Sequence, residues 1–135
     1  MPANTVPIYP LTPKPSWDTE TAANNTYTGT GTVGTVFTAG ANGAYVAAIK
    51  FKPQGTNVAS VARVFLNNGS DNNTAANNAL IGEITLPATT ASATASLIEL
   101  MLPLNMPIPA NYRIQWVLGT AVAAGWTATA VAGDY

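Results

Sequence analysis

After residue 25 the chain is written in period two, in short runs separated by turn residues. Tyr45, Ala47, Ile49 and Phe51 alternate with Val46, Ala48, Lys50 and Lys52. Val58, Ser60, Ala62, Val64 and Leu66 oppose Ala59, Val61, Arg63 and Phe65. Ile98, Leu100, Leu102 and Leu104 oppose Leu97, Glu99 and Met101, and Tyr112, Ile114, Trp116 and Leu118 oppose Arg113, Gln115 and Val117. Successive side chains of a strand point to opposite faces, so each run offers one face to a core. Turn chemistry punctuates the runs: AGANG at 39–43, PQG at 53–55, NNGSDNN at 67–73, PATT at 87–90 and IPAN at 108–111. The spacing predicts seven or eight strands, near 27–38, 44–52, 57–66, 79–86, 94–103, 111–119 and 125–132. No run of a dozen residues carries a helical period, although 74–80 has room for one short helical turn. The expected fold is all-β, a two-sheet sandwich of jelly-roll or Ig-like type.

The first 25 residues read differently. Pro2, Pro7, Pro10, Pro13 and Pro15 fall within them. Proline fixes φ and biases its predecessor toward extended backbone. Residues 1–25 are therefore expected to form an extended Pro-rich N-terminal arm, and 26–135 the sandwich domain. The arm carries Ile8, Tyr9, Leu11 and Trp17, apolar side chains that need a surface. It either lies along a neighbouring molecule or folds back over its own sandwich.

Composition narrows the chemistry. The chain has no histidine and no cysteine, and only five Lys/Arg and six Asp/Glu among 135 residues. Histidine is the usual acid/base near neutral pH and cysteine the most nucleophilic side chain, so catalysis is not expected. A net charge of −1 gives no electrostatic reason to bind nucleic acid or an anionic membrane. Residues 114–133 carry no charge, but their threonines, Gln115 and glycines make them a poor membrane span. The start, MPANTVPIYP, has neither a basic nor an apolar leader region, so no signal peptide is expected.

The remaining motifs have plain readings. Gly29, Gly31 and Gly34 spell G-x-G-x-x-G, but NNTYT precedes them and TVFTAGANG follows. The dinucleotide fingerprint needs a strand before and a helix after, so this is a Gly/Thr-rich edge segment. Glu83 and Glu99 lie on neighbouring segments, and a glycosidase pair needs two carboxyls about 5–10 Å apart. Nothing in the sequence indicates a cleft, and solvated strand faces are far commoner than such a site. Asp71 and Asn73 begin an oxygen-rich ligand spacing, but Ala75 stands where the next ligand belongs, so 67–73 reads as a turn. No catalytic, cofactor or metal residue is assigned. All six charges within the expected strands fall away from the apolar faces, so none is expected to be buried.

The segments VPIYPLTPKPSW, GTVFTAGANGAYV, GTNVASVARVFLNNGS, LPATTAS and IPANYRIQWVLGTAVAAGWTATAVAGDY span nearly the whole chain. Together they resemble a family of small virion structural proteins of tailed bacteriophages. The resemblance implies a non-enzymatic particle component without cofactors. A short sandwich with an apolar arm suits a capsid decoration (cement) protein on the capsid exterior. Its partners are then the major capsid protein and further copies of itself, a trimer suiting a three-fold position. Ile8, Tyr9, Leu11 and Trp17 are the expected anchors, since buried aromatics dominate interface energy. The other reading is a receptor- or carbohydrate-binding module of a tail or head fibre.

Overall fold

The computed structural model describes residues 9–135. It is an all-β sandwich of nine strands: β1 (Thr12–Pro13), β2 (Ser16–Glu20), β3 (Gly34–Thr38), β4 (Ala44–Pro53), β5 (Ser60–Asn67), β6 (Asn78–Leu86), β7 (Leu100–Ile108), β8 (Arg113–Leu118) and β9 (Trp126–Asp134). One 3-10 turn, Ala75–Asn77, falls where a short helical turn had room.

The first sheet runs β1-β9-β4-β7, with β2 also paired to β9, and the second runs β3-β8-β5-β6. β1 and β2 occupy successive stretches of the same β9 edge. The antiparallel pairs β2·β9, β4·β7, β3·β8 and β5·β6 nest inside one another, which is the wiring of a jelly roll rather than an Ig sandwich. The uncharged stretch 114–133 becomes most of β8 and β9 with the turn between them.

The arm is not separate from this roll. Ser16–Glu20 has no internal proline and pairs residue for residue with Trp126–Ala130, so β2 is the first strand of the jelly roll. The boundary expected at residue 25 is not a boundary of the fold. The prolines act locally: Pro13 ends β1, and Pro15 precedes β2.

Two other expectations shift for backbone reasons. The strand placed at 94–103 lies at 100–108, because an edge strand tolerates Pro103 and Pro107. The strand placed at 27–38 begins only at Gly34, because Gly29 and Gly31 take positive φ (74° and 85°), which breaks a pleated ribbon.

The core lies between the sheets. Trp116, Trp126, Phe37, Phe51, Ile49, Ile114 and Leu118 are fully buried, and Phe51 and Trp116 pack with ring centroids 5.6 Å apart. Ile114, Trp116 and Leu118 face inward together, as their alternation predicts, with Tyr112 packed at the margin. In β4 the alternation breaks. Val46 and then Ile49 and Phe51 point inward, with Tyr45 outside, because a register shift between Val46 and Ala48 inserts one residue and reverses the facing. At the turn-rich end, buried Asn57 holds three loops together: its amide donates to Thr89 Oγ1, its Oδ1 accepts from the Ala124 and Gly125 amides and its Nδ2 donates to the Gly125 carbonyl.

Candidate binding surface

The two sheets treat their outer faces differently. The second sheet is roofed by residues 22–33. Ala23 bridges to Leu118, and the Asn24 amide donates to the Leu118 carbonyl. Beneath this segment lies Arg63, only 6 % exposed. Its Nε donates to Glu83 Oε1 at 2.8 Å, its Nη1 to Asn25 Oδ1 at 2.5 Å and its Nη2 to Tyr27 Oη at 2.8 Å. The guanidinium also stacks 3.8 Å from the Tyr27 ring centroid. Phe65, Gln115 and Val117 are buried on the same outer face. The expectation that no strand charge is buried fails at Arg63: the residue does point away from the core, but a segment 36–38 residues earlier covers it.

Asparagines fasten the rest of the roof. Asn72 Nδ2 donates to the carbonyls of Gly29 and Gly31, Asn78 Nδ2 to that of Thr28, and Asn73 Oδ1 accepts from the Gly31 amide. The G-x-G-x-x-G segment is thus a strap seated on the 67–78 loop. Asp71 Oδ1 accepts from the Asn73 amide, which makes the loop an Asx turn. Among the described residues, no three His, Cys, Asp or Glu side chains gather where they could hold a metal ion.

Among the described residues, the first sheet has no such cover. Its register places Pro13, Gly133, Tyr45 and Pro107 in one outward row, and Trp17, Thr129, Lys50 and Met101 in another. Ala48, Val131 and Pro103 lie between them. Trp17 is 69 % exposed, Leu11 84 % and Tyr9 71 %, and Val131 and Met101 are also exposed. Pro10, Pro13, Tyr45, Ala47 and Val131 line a shallow cavity of about 200 Å³. The two lysines of this face are held at one side. Lys52 Nζ donates to the Leu97 carbonyl at 2.8 Å, and Lys50 pairs with Glu99, whose carboxyl the hydrogen bond from Lys50 holds below the usual range. Away from these lysines, Pro13, Tyr45, Ala48, Val131, Pro103 and Pro107 make the face apolar, and exposed apolar patches mark interaction sites.

Of the expected anchors, Tyr9, Leu11 and Trp17 are exposed, and Ile8 lies outside the described residues. Glu83 and Glu99 do not pair with each other: Glu83, on β6, meets Arg63, and Glu99, just before β7, meets Lys50.

The carboxylates that do meet are Asp18 and Glu20, which the arm reading passed over. Two residues apart on β2, they share its inward face. Asp18 Oδ2 accepts from Trp116 Nε1 at 2.9 Å. A methyl group on Gly34 would overlap Asp18 Oδ2, so glycine is what lets the pair seat against β3. Burial, and then the Asp18 charge beside it, push the Glu20 carboxyl above the usual range. The alternation Ser16, Asp18, Glu20 against Trp17 and Thr19 is the signal that reveals this strand. The chain matches no protein-family model, no curated protein and no solved structure.

Proposed function

We propose that this chain is a non-enzymatic structural protein of a tailed-phage particle. In this reading it is a capsid decoration (cement) protein that binds the outer capsid lattice and stabilises the head, through the outer face of the sheet that carries β2 and β9. The observation that carries the proposal is the apolar outer face of that sheet, uncovered among the described residues, with Trp17 on β2 and Leu11 and Tyr9 just before β1 beside it. Aromatic anchors on a rigid sheet bind a flat partner at low entropic cost. The jelly roll, an architecture also used by capsid and lectin domains, is compatible with the role without specifying it.

The test is co-sedimentation with capsid shells lacking the protein. Deleting residues 1–20 is the wrong variant, because it removes β2 from the roll. The double substitution Leu11→Ser with Trp17→Ser leaves the fold intact, since both side chains are exposed. Lost sedimentation with an unchanged circular dichroism spectrum is the expected result. Full binding by that variant overturns the proposal. Binding to a glycan array without binding to shells favours a carbohydrate-binding module instead.

A further inference from the structure

The inner side of β2 carries two carboxyl groups that converge on one point. Asp18 Oδ2, Glu20 Oε1 and Trp116 Nε1 would all crowd a methyl group placed on Gly34. Trp116 Nε1 donates to Asp18, and burial together with the adjacent Asp18 charge favours a proton on Glu20. Among the described residues no cation relieves the pair. Residues 126–130 of β9, the 121–125 turn and all of β3 carry no charge. Lys14 is paired with Asp134, Arg113 of β8 donates to the Gly69 carbonyl, and Lys52 of β4 donates to the Leu97 carbonyl. Tyr27, the titratable group of the 22–33 strap, is bonded to Arg63.

Beside Glu20 stands an idle donor. Trp126 is directly opposite Glu20 in the β2·β9 register, and both residues fall on the inward alternation of their strands. Trp126 is fully buried, and its Nε1 has no hydrogen-bond partner among the described residues. A buried N–H without an acceptor is costly, and native folds rarely leave one. Opposite residues of antiparallel strands stand about 5 Å apart at Cβ, which is within reach of a glutamate side chain. The neighbouring pair shows the arrangement already made: Trp116 Nε1 has Asp18 as its acceptor at 2.9 Å. Trp126 has the same donor, and the carboxyl opposite it is turned toward Asp18 instead.

We propose that Glu20 is a two-position switch: protonated, it donates to Asp18; ionised, it swings to β9 and accepts from Trp126 Nε1. The proton passes to solvent. Two forces then drive the same movement, the repulsion between two carboxylates and the attraction of an ionised acceptor for an unpaired buried donor. Asp18 keeps Trp116 in both positions. The acid form ties Glu20 along its own strand, and the form above the ordinary glutamate range ties it across to β9. The switch therefore changes what holds the strand that carries Trp17, and leaves its backbone pairing in place. The inference concerns the free protein and stands whether or not the first sheet binds a capsid.

The test is a pH series of proton–nitrogen NMR spectra of the full chain, read at the indole N–H signals of its three tryptophans. As pH rises above the ordinary glutamate range, the Trp126 signal is expected to move downfield along a single titration, while exposed Trp17 stays still. Glu20→Gln is expected to abolish the titration. Asp18→Asn, whose side-chain oxygen still accepts from Trp116, is expected to keep the titration and move its midpoint to lower pH. That shift is a readout that a merely structural role for either carboxyl would not give. A Trp126 signal that does not titrate, that titrates equally in Glu20→Gln, or whose midpoint is unmoved in Asp18→Asn overturns the proposal.

Discussion

The outer faces of the two sheets start from similar material and end in opposite states. Each is the solvent side of an antiparallel sheet, and each carries aromatic, aliphatic and basic residues. One is sealed by residues 22–33, and the buried guanidinium of Arg63 is satisfied by three different side chains. The other has no cover among the described residues, and its lysines are held toward the 97–99 segment. Where a chain this poor in charge spends a buried arginine to fasten a roof, the roof belongs to the fold. Where it leaves Trp17 and Leu11 in water, the surface is available for a partner.

That contrast can be broken at the roof first. Arg63→Ala removes the common partner of Glu83, Asn25 and Tyr27. It is expected to destabilise the fold by about 2–3 kcal/mol, the cost of losing charge-assisted bonds at a buried site, with the half-exposed Glu83 contributing little. Urea unfolding measures it. A change below about 0.5 kcal/mol, the level expected of surface positions such as Trp17, erases the distinction between the faces.

A smaller loss is expected from Asn72→Ala, which frees the carbonyls of Gly29 and Gly31. About 1 kcal/mol is the usual net worth of such a bond. Limited proteolysis should show faster cleavage within 27–33, and unchanged cleavage there separates the strap from its asparagines.

The smallest effect concerns pH and the strand linking the two faces, β2. Glu20 has its folded-state pKa raised, so the folded protein holds that proton more tightly than the unfolded chain does. The resulting stability is fully present below the ordinary glutamate pKa and is lost as pH rises through the raised value. Among charged groups on the elements packed against it, β3 has none, Asp134 of β9 is paired with Lys14, and Arg113 of β8 donates to the Gly69 carbonyl. Glu20→Gln is expected to flatten this part of the thermal stability profile. Glu99 acts in the opposite sense, since its lowered pKa gives stability above the ordinary value that is lost on acidification. A stability that still rises across Glu20's range in Glu99→Gln, where the opposing contribution is gone, contradicts the assignment.

Much of this was legible in the residues. Period two located β4, β5, β6, β8 and β9, but it started β3 too early and placed β7 too early along the chain. Facing was legible only where strands are regular. One inserted residue in β4 reversed it, and a bulge leaves no mark in an alternation of small apolar side chains such as Val46, Ala47 and Ala48. The arm's prolines obscured a proline-free pentapeptide with its own alternation. Arg63's burial was not legible at all, because it depends on Asn25 and Tyr27 arriving from a distant segment. The apolar face was half legible: Tyr9, Leu11 and Trp17 stood out as unplaced, but Val131, Tyr45 and Met101 join them only through the register of β9, β4 and β7.

A reconstruction of particles carrying the bound protein puts both faces to the same test. The account predicts many copies on the shell, with Trp17, Val131 and Tyr45 against the capsid and the 22–33 roof turned to solvent. Copies seated through the roof, or confined to the tail, would contradict it.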